Sequence, residues 1–247
     1  MHVVVIGAGA IGLSSALHLC ERGVAVTVIE ADALGSGSTG RSVGVVGTQH
    51  VTALDVALRA YGRRRIREWG ACGLEFNAIG YMRLGRSTGD LALFERSLGF
   101  QREAGIDSAR ILAPAEIRKL APDMSTEGIE GALFGSEDGF LDPYQLCTVL
   151  AQMVRDLGGA VRQRCRLLGA DRLGEGYRLT TSTGAIDCDG VVIAAGAWAG
   201  RVAALFGGTL PVAVDENSRT SLLMLSVVQR LPLVSAAAPR LETIVVF

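Results

Sequence analysis

Four apolar residues, Val3 to Ile6, are followed by glycines at positions 7, 9 and 12, an uncharged stretch through Ala16 and Leu17, and an alternating segment from Val24 to Ile29. The run predicts a short strand, the stretch a helix closed by Gly23, and the alternation a second strand ending at Glu30. Residues 31 to 50, ADALGSGSTGRSVGVVGTQH, are rich in Gly, Ser and Thr and read as a loop. Helical spacing returns from 52 to 69, with Leu54, Leu58, Tyr61 and Trp69 expected on the inner side. Arg59, Arg63 and Arg67 form the opposite row, read as a solvated face without function, and Arg64 can reach Glu68 one turn on.

LEFNAIGYMRLG, residues 74 to 85, reads as a strand pair around a turn, followed by a helix from about Asp90 to Ala104. APAEIRKLAP is a short helix between prolines, and ALFGSEDGFLDPYQ is a strand and turn whose Asp142-Pro143 opens a helix reaching Leu157. From Ala160 the pattern is β again, in VRQRCRLL, YRLTTS and DGVVIAAGAWAG. Val191 to Ala195 is uninterrupted apolar sequence, as in a central strand buried on both faces, and a helix to Phe206 follows. Further strands are expected around Leu210 to Val214, Leu222 to Val227 and Thr243 to Val246.

The first βαβ segment carries chemistry. Gly7 permits the tight strand-to-helix turn, Gly9 lets a pyrophosphate approach the backbone, and Gly12 lets the helix pack close to the sheet. The unpaired N–H groups and positive dipole end of the helix favour an anion. Glu30 lies about 20 residues beyond the glycines, where a carboxylate accepts hydrogen bonds from the adenosine ribose and repels a 2′-phosphate. An ADP-containing cofactor follows, FAD or NAD rather than NADP. A βαβ unit without ligand is the bland alternative. Hydroxyls and N–H groups of Ser38, Thr39 and Ser42, with Arg41 as countercharge, suit the loop to wrapping the same cofactor.

At 247 residues and 49% apolar composition the chain can hold one large or two small domains. A formal charge of −1 gives no basic excess for a nucleic-acid partner. Five cysteines without CxxC spacing suit buried, reduced thiols in a cytoplasmic protein, and three histidines without HxH or HExxH spacing give no metal site. The apolar N-terminal stretch lacks a basic leader, and its glycines occupy fingerprint positions, so neither a targeting segment nor a membrane span is expected. His18 reads as structural. His50 is the one catalytic candidate, able to polarise a cofactor or orient a substrate amine, although a loop-packing role is the preferred reading. Tyr81 and Arg83 share one strand face and could look into a substrate cavity.

GAGAIG with Glu30, then GSGSTGRS, GYMRLG, EDGFLDPYQL and VVIAAGAWAG occur in that order. In this the chain resembles the FAD-dependent amino-acid oxidase superfamily, with the nearest likeness to the sarcosine oxidase beta-subunit and L-proline dehydrogenase group. The resemblance implies an α/β fold: an FAD-binding Rossmann-like domain of the glutathione-reductase type (1–72 and 143–208) with an interleaved, mainly antiparallel substrate domain (73–142 and 209–247). It implies cofactor contacts at Gly7, Ala8, Gly9, Ala10, Ile11, Gly12, Glu30 and Ala31, and along the loop at Ser38, Thr39, Arg41 and Ser42. It also implies a backbone contact to adenine at Leu167 and packing by Ala195, Gly196 and Trp198.

The implied reaction is hydride transfer from the α-carbon of an amino acid or a secondary or N-methyl amine to flavin. Gly47 departs from the resemblance, since many relatives carry arginine there. Relatives also continue well beyond residue 247, and this chain stops within IVVF, which reads as a strand with an unpaired edge. A non-catalytic or truncated FAD-binding product, or a subunit completed by a partner, is therefore the second reading. An NAD-dependent dehydrogenase is the third.

Overall fold

The computed structural model describes residues 1–210, 229–230 and 243–245. The chain divides into two compact units, Met1–Ser42 with Pro143–Phe247, and Val43–Asp142. The first opens with β1 (His2–Ile6), α1 (Ala10–Cys20) and β2 (Ala25–Ile29). The second runs through β3 (Val45–Val46), α2 (Ala53–Trp69), β4 (Phe76–Asn77), β5 (Tyr81–Gly85), α3 (Thr88–Glu103), β6 (Ala109–Leu112), α4 (Pro114–Leu120), β7 (Gly131–Gly135) and β8 (Gly139–Leu141). The chain then returns to the first unit with α5 (Pro143–Asp156), β9 (Ala160–Arg162), β10 (Leu167–Leu173), β11 (Gly176–Thr181), β12 (Gly184–Cys188), β13 (Gly190–Ile193), α6 (Ala199–Ala204), β14 (Gln229–Arg230) and β15 (Thr243–Val245).

In the first unit the main sheet has the order β14-β15-β13-β1-β2-β9, parallel except for β14. β1 is central because Val3 to Ile6 are all buried, and α1 carries the chain over to β2 as a parallel crossover. Val4, Ile6, Val191 and Ile193 share a core with Leu179 and Ile186 of the antiparallel β10-β11-β12 sheet, each such side chain contributing roughly 1.5–3 kcal/mol by burial. Segment 160–167 is not one strand. Arg164 adopts a left-handed φ of 54° between β9 and β10, and β12, which the alternation did not reveal, completes the small sheet.

The second unit contains two three-stranded antiparallel sheets, β3-β8-β4 and β5-β7-β6. Residues 74–85 therefore do not form a hairpin. β4 pairs with β8 and β5 with β7, because the intervening turn sends the two strands to different partners. The first unit boundary falls after Ser42 rather than after residue 72, since β3 pairs with β8 and α2 packs on α3.

Of the four α2 residues expected to face inward only Trp69 does. Leu54, Leu58 and Tyr61 are exposed, while Val56, Arg63 and Trp69 are buried. Arg63 is only 6% exposed and meets the fully buried Asp138 at 3.5 Å and Glu137 at 3.3 Å. Arg67 joins Glu137 at 2.9 Å and holds its carboxyl below the usual range. The arginine row is thus no simple solvated face: partners about 70 residues away in sequence make burial tolerable, which helical spacing alone does not encode. Arg64 does approach Glu68, at 3.9 Å, but Arg65 makes the shorter pair at 2.9 Å.

Of the C-terminal strands, those around Leu210 to Val214 and Leu222 to Val227 lie, beyond Leu210 itself, outside the described residues. Thr243–Val245 is not an unpaired edge and not part of the second unit. It lies between β13 and β14 in the main sheet.

Candidate functional site

The carboxyl ends of β1, β2 and β13 converge around the glycine turn, the place where doubly wound sheets accept ligands. Gly7 has φ +109°, and a Cβ there would stand 2.3 Å from the Ala194 carbonyl oxygen, so the turn is pressed against the end of β13. A Cβ at Gly12 would fall 1.9 Å from the Gly7 carbonyl oxygen, so α1 is pressed on the turn. Gly9 differs. Its Cβ would meet only the Thr39 side chain, with Oγ1 at 3.0 Å, so packing does not require this glycine as it requires the other two.

The start of α1 has Gly9 as its N-cap and no side-chain cap. The Ala8 N–H donates to Glu30 Oε2 at 2.8 Å, and the Ala10 N–H donates to Thr39 Oγ1 at 3.1 Å. Glu30 Oε1 accepts from the Asp32 N–H at 2.9 Å. Its backbone is held by the Arg162 carbonyl on one side and the Cys165 N–H on the other. The carboxylate expected to face a ribose therefore also fastens the glycine turn to the start of the following loop. It retains acceptor capacity, since a carboxylate offers about four lone-pair sites.

The loop itself is a compact series of turns. Gly40 N–H donates to the Gly35 carbonyl, Arg41 N–H to Ser38, and Ser42 N–H to Thr39. Tyr144 at the start of α5 underlies it, standing 2.6 Å from where a Cβ at Gly40 would be. Cys147 sits beneath Gly35, and burial, followed by the charge of Glu30, pushes its thiol up to about 11. Neither Tyr144 nor Cys147 was legible as part of this region; the sole signal was the small residues at 35 and 40. Ala31 follows Glu30 directly, Ile11 is exposed on the first turn of α1, and Arg41 is exposed in the loop. Leu167 begins β10 opposite Thr181, just before a register irregularity, two residues after the Cys165 contact to Glu30. Ala195 and Gly196 follow β13, and the half-exposed Trp198 lies 3.8 Å from a Cβ position at Gly37.

In the second unit the segment 47–50 is fastened by side chains from α2, α3, β5 and the turn between β7 and β8. The fully buried Asp138 accepts from the Thr48 N–H at 3.2 Å, and Thr48 Oγ1 lies 3.0 Å from both Asp138 Oδ1 and Gln101 Oε1. Gln49 Nε2 donates to the Tyr81 carbonyl at 2.7 Å. Arg59 Nη1 donates to the Gly47 carbonyl at 3.2 Å and Arg83 Nη1 to the Gln49 carbonyl at 2.7 Å. His50 stands in the field of both guanidinium groups; burial first and Arg59 second lower its pKa from the ordinary histidine value. Gly47 is not a steric necessity: a Cβ there would make ordinary contacts, 3.6 Å from the Tyr81 ring and 3.8 Å from Asp138 Oδ2. His18 bonds the Ser14 carbonyl one turn back. Cys72 departs from the expectation of buried thiols, being exposed where the other four cysteines are buried.

Among the described residues no helix is long and apolar enough to cross a membrane. A mainly parallel sheet with a GxGxxG turn, a carboxylate at the end of the second strand and an antiparallel unit inserted after the loop define a dinucleotide-binding class. Residues 2–243 match the model of the FAD dependent oxidoreductase (DAO) family, and the chain belongs to that family.

The mitochondrial sarcosine dehydrogenase of Mus musculus is 27% identical over 249 residues, covering 94% of this chain and 26% of the relative. Glycine oxidase of Bacillus licheniformis is 28% identical over 203 residues, covering 81% of this chain and 55% of the relative. Among solved structures, L-proline dehydrogenase from P. horikoshii superposes with a TM-score of 0.77 at 26% identity, covering 83% of this chain and 55% of that one. The chain thus spans between about a quarter and just over half of these relatives.

Proposed function

We propose that the first unit binds FAD and that the chain serves an enzyme oxidising the C–N bond of an amino acid or N-methyl amine. The observation that carries the cofactor reading is the glycine turn closed by Glu30, with Gly9 the one fingerprint glycine whose missing side chain packing does not explain. In this reading the start of α1, whose N-cap Gly9 offers no side chain, receives the pyrophosphate, and Thr39, Ser38 and Ser42 donate around it. Glu30 accepts from the adenosine ribose, and Leu167 lies alongside the adenine. Ala195, Gly196 and Trp198 pack against the cofactor from the end of β13. FAD, when bound, supplies the acceptor for a hydride, and the protein's part is to orient and to exclude water.

The substrate reading is supported by the named relatives, one a sarcosine dehydrogenase and one a glycine oxidase. Titration calorimetry with FAD, ADP and NADP tests the cofactor. FAD and ADP should bind and NADP should not, since its 2′-phosphate would meet the Glu30 charge. Tight NADP binding without affinity for FAD or ADP would refute the reading.

A further inference from the structure

We propose that Tyr144 is a positioning residue for the cofactor: its ring holds the 35–42 loop in place and thereby sets how tightly the pyrophosphate is bound. This deepens the function proposed above and rests on it for the ligand, but not for the state of the loop. Tyr144 is the second residue of α5, directly after Pro143, whose locked φ fixes the backbone at the helix start. From that rigid base the ring lies against the loop backbone itself. Its Cζ and its hydroxyl oxygen both stand 2.6 Å from where a Cβ at Gly40 would be, and its Cδ1 stands 3.7 Å from the corresponding point at Gly35.

Both contact points are glycines, the residue with the most backbone freedom to lose, so what steadies the loop there has to come from its neighbours. The Gly40 N–H donates to the Gly35 carbonyl at 2.8 Å, closing the turn over the ring, and the Gly35 N–H donates to the Ala8 carbonyl at 3.0 Å. Thr39, one residue before Gly40, accepts from the Ala10 N–H at 3.1 Å. A short path therefore leads from Tyr144 through Gly40 and Thr39 to the start of α1. On another side of the loop Trp198 makes only an ordinary contact, 3.8 Å from the Cβ position at Gly37. A loop already held in its binding arrangement spares the ligand the cost of ordering it, and the placing of Ser38, Thr39 and Ser42 is what the ring maintains.

The test uses the full chain and three readouts: FAD and ADP affinity by calorimetry, urea unfolding, and trypsin cleavage after Arg41, the exposed arginine of the loop, followed by mass spectrometry without cofactor. Tyr144→Ala should weaken FAD and ADP by the same factor of about 10, because the loop then spends only about a tenth of its time in the binding arrangement. Cleavage after Arg41 should rise by about 10-fold or more, since it follows the open population. The urea midpoint should stay close to native, because the Tyr144 side chain is half-exposed and takes little from the core. Tyr144→Phe keeps the ring and should restore affinity and resistance to cleavage to within about 2-fold of native.

Native affinity in Tyr144→Ala would overturn the inference, whether or not the loop is cleaved faster. So would a loss in Tyr144→Phe as large as in Tyr144→Ala, or a loss of affinity accompanied by a collapsed urea midpoint, which would make the residue structural. The cofactor reading fails separately, when the native chain binds neither FAD nor ADP while cleavage after Arg41 still depends on the Tyr144 ring.

Discussion

The three fingerprint glycines should not respond alike to substitution. At Gly12 an alanine Cβ would lie 1.9 Å from the Gly7 carbonyl oxygen, against a comfortable carbon–oxygen approach of about 3.3 Å or more. Helix and turn must part by more than an ångström, or α1 must leave the sheet. The cost belongs at the upper end of the overpacking range, about 3 kcal/mol. At Gly9 the backbone is extended, with φ −80° and ψ −179°, a conformation valine adopts without strain, and only Thr39 must give way. Loss of the Thr39 bond to the Ala10 N–H costs about 1 kcal/mol.

Gly9→Val should therefore remain folded, with a urea midpoint close to that of the native chain, while Gly12→Ala loses most of its stability. Cofactor affinity should behave in the opposite sense for Gly9→Val. A branched side chain over the start of α1 removes about two charge-assisted hydrogen bonds to the pyrophosphate, at roughly 1.5–3 kcal/mol each, a loss of about 100-fold or more. The assays are urea unfolding by circular dichroism and FAD titration by calorimetry. Native FAD affinity in a folded Gly9→Val chain would show that the glycine turn is not the binding site, and native stability in Gly12→Ala would show that α1 does not pack as described.

Asp138→Ala should destabilise by roughly 3–5 kcal/mol, because it leaves the buried Arg63 without one of its two carboxylates and the Thr48 N–H without its acceptor; a urea midpoint within error of native would refute this. His50 should titrate below the ordinary value of about 6.5. A histidine whose folded pKa is lowered contributes stability that is complete above the unfolded value and is lost as the pH falls toward the folded one, where the unfolded chain binds more protons. Arg59→Met removes one of the groups that lower it and should raise the His50 pKa in an NMR titration; an unchanged value would remove Arg59 from the neighbourhood of the imidazole.

What the sequence by itself determined is the local and periodic part. The apolar run at Val3 to Ile6, the glycine spacing and Glu30 define a βαβ unit because each requirement, a buried strand, a tight turn and a close helix, is met by residues adjacent in the chain. The boundaries of α4 and α5 were legible for the same reason, from their prolines, while α3 begins at Thr88, two residues before the expected start. Tertiary structure decided which face of α2 turns inward. Leu54, Leu58 and Tyr61 look like a core stripe, yet the stripe that is buried contains Arg63, whose partners Glu137 and Asp138 lie far along the chain.

Only the tertiary structure could bring Arg59 and Arg83 to neighbouring carbonyls, divide residues 74–85 between two sheets, or give Glu30 a second duty in fastening the glycine turn. A hydrogen bond or ion pair depends on where a partner ends up in space, and neither the period of a helix nor the alternation of a strand carries that position.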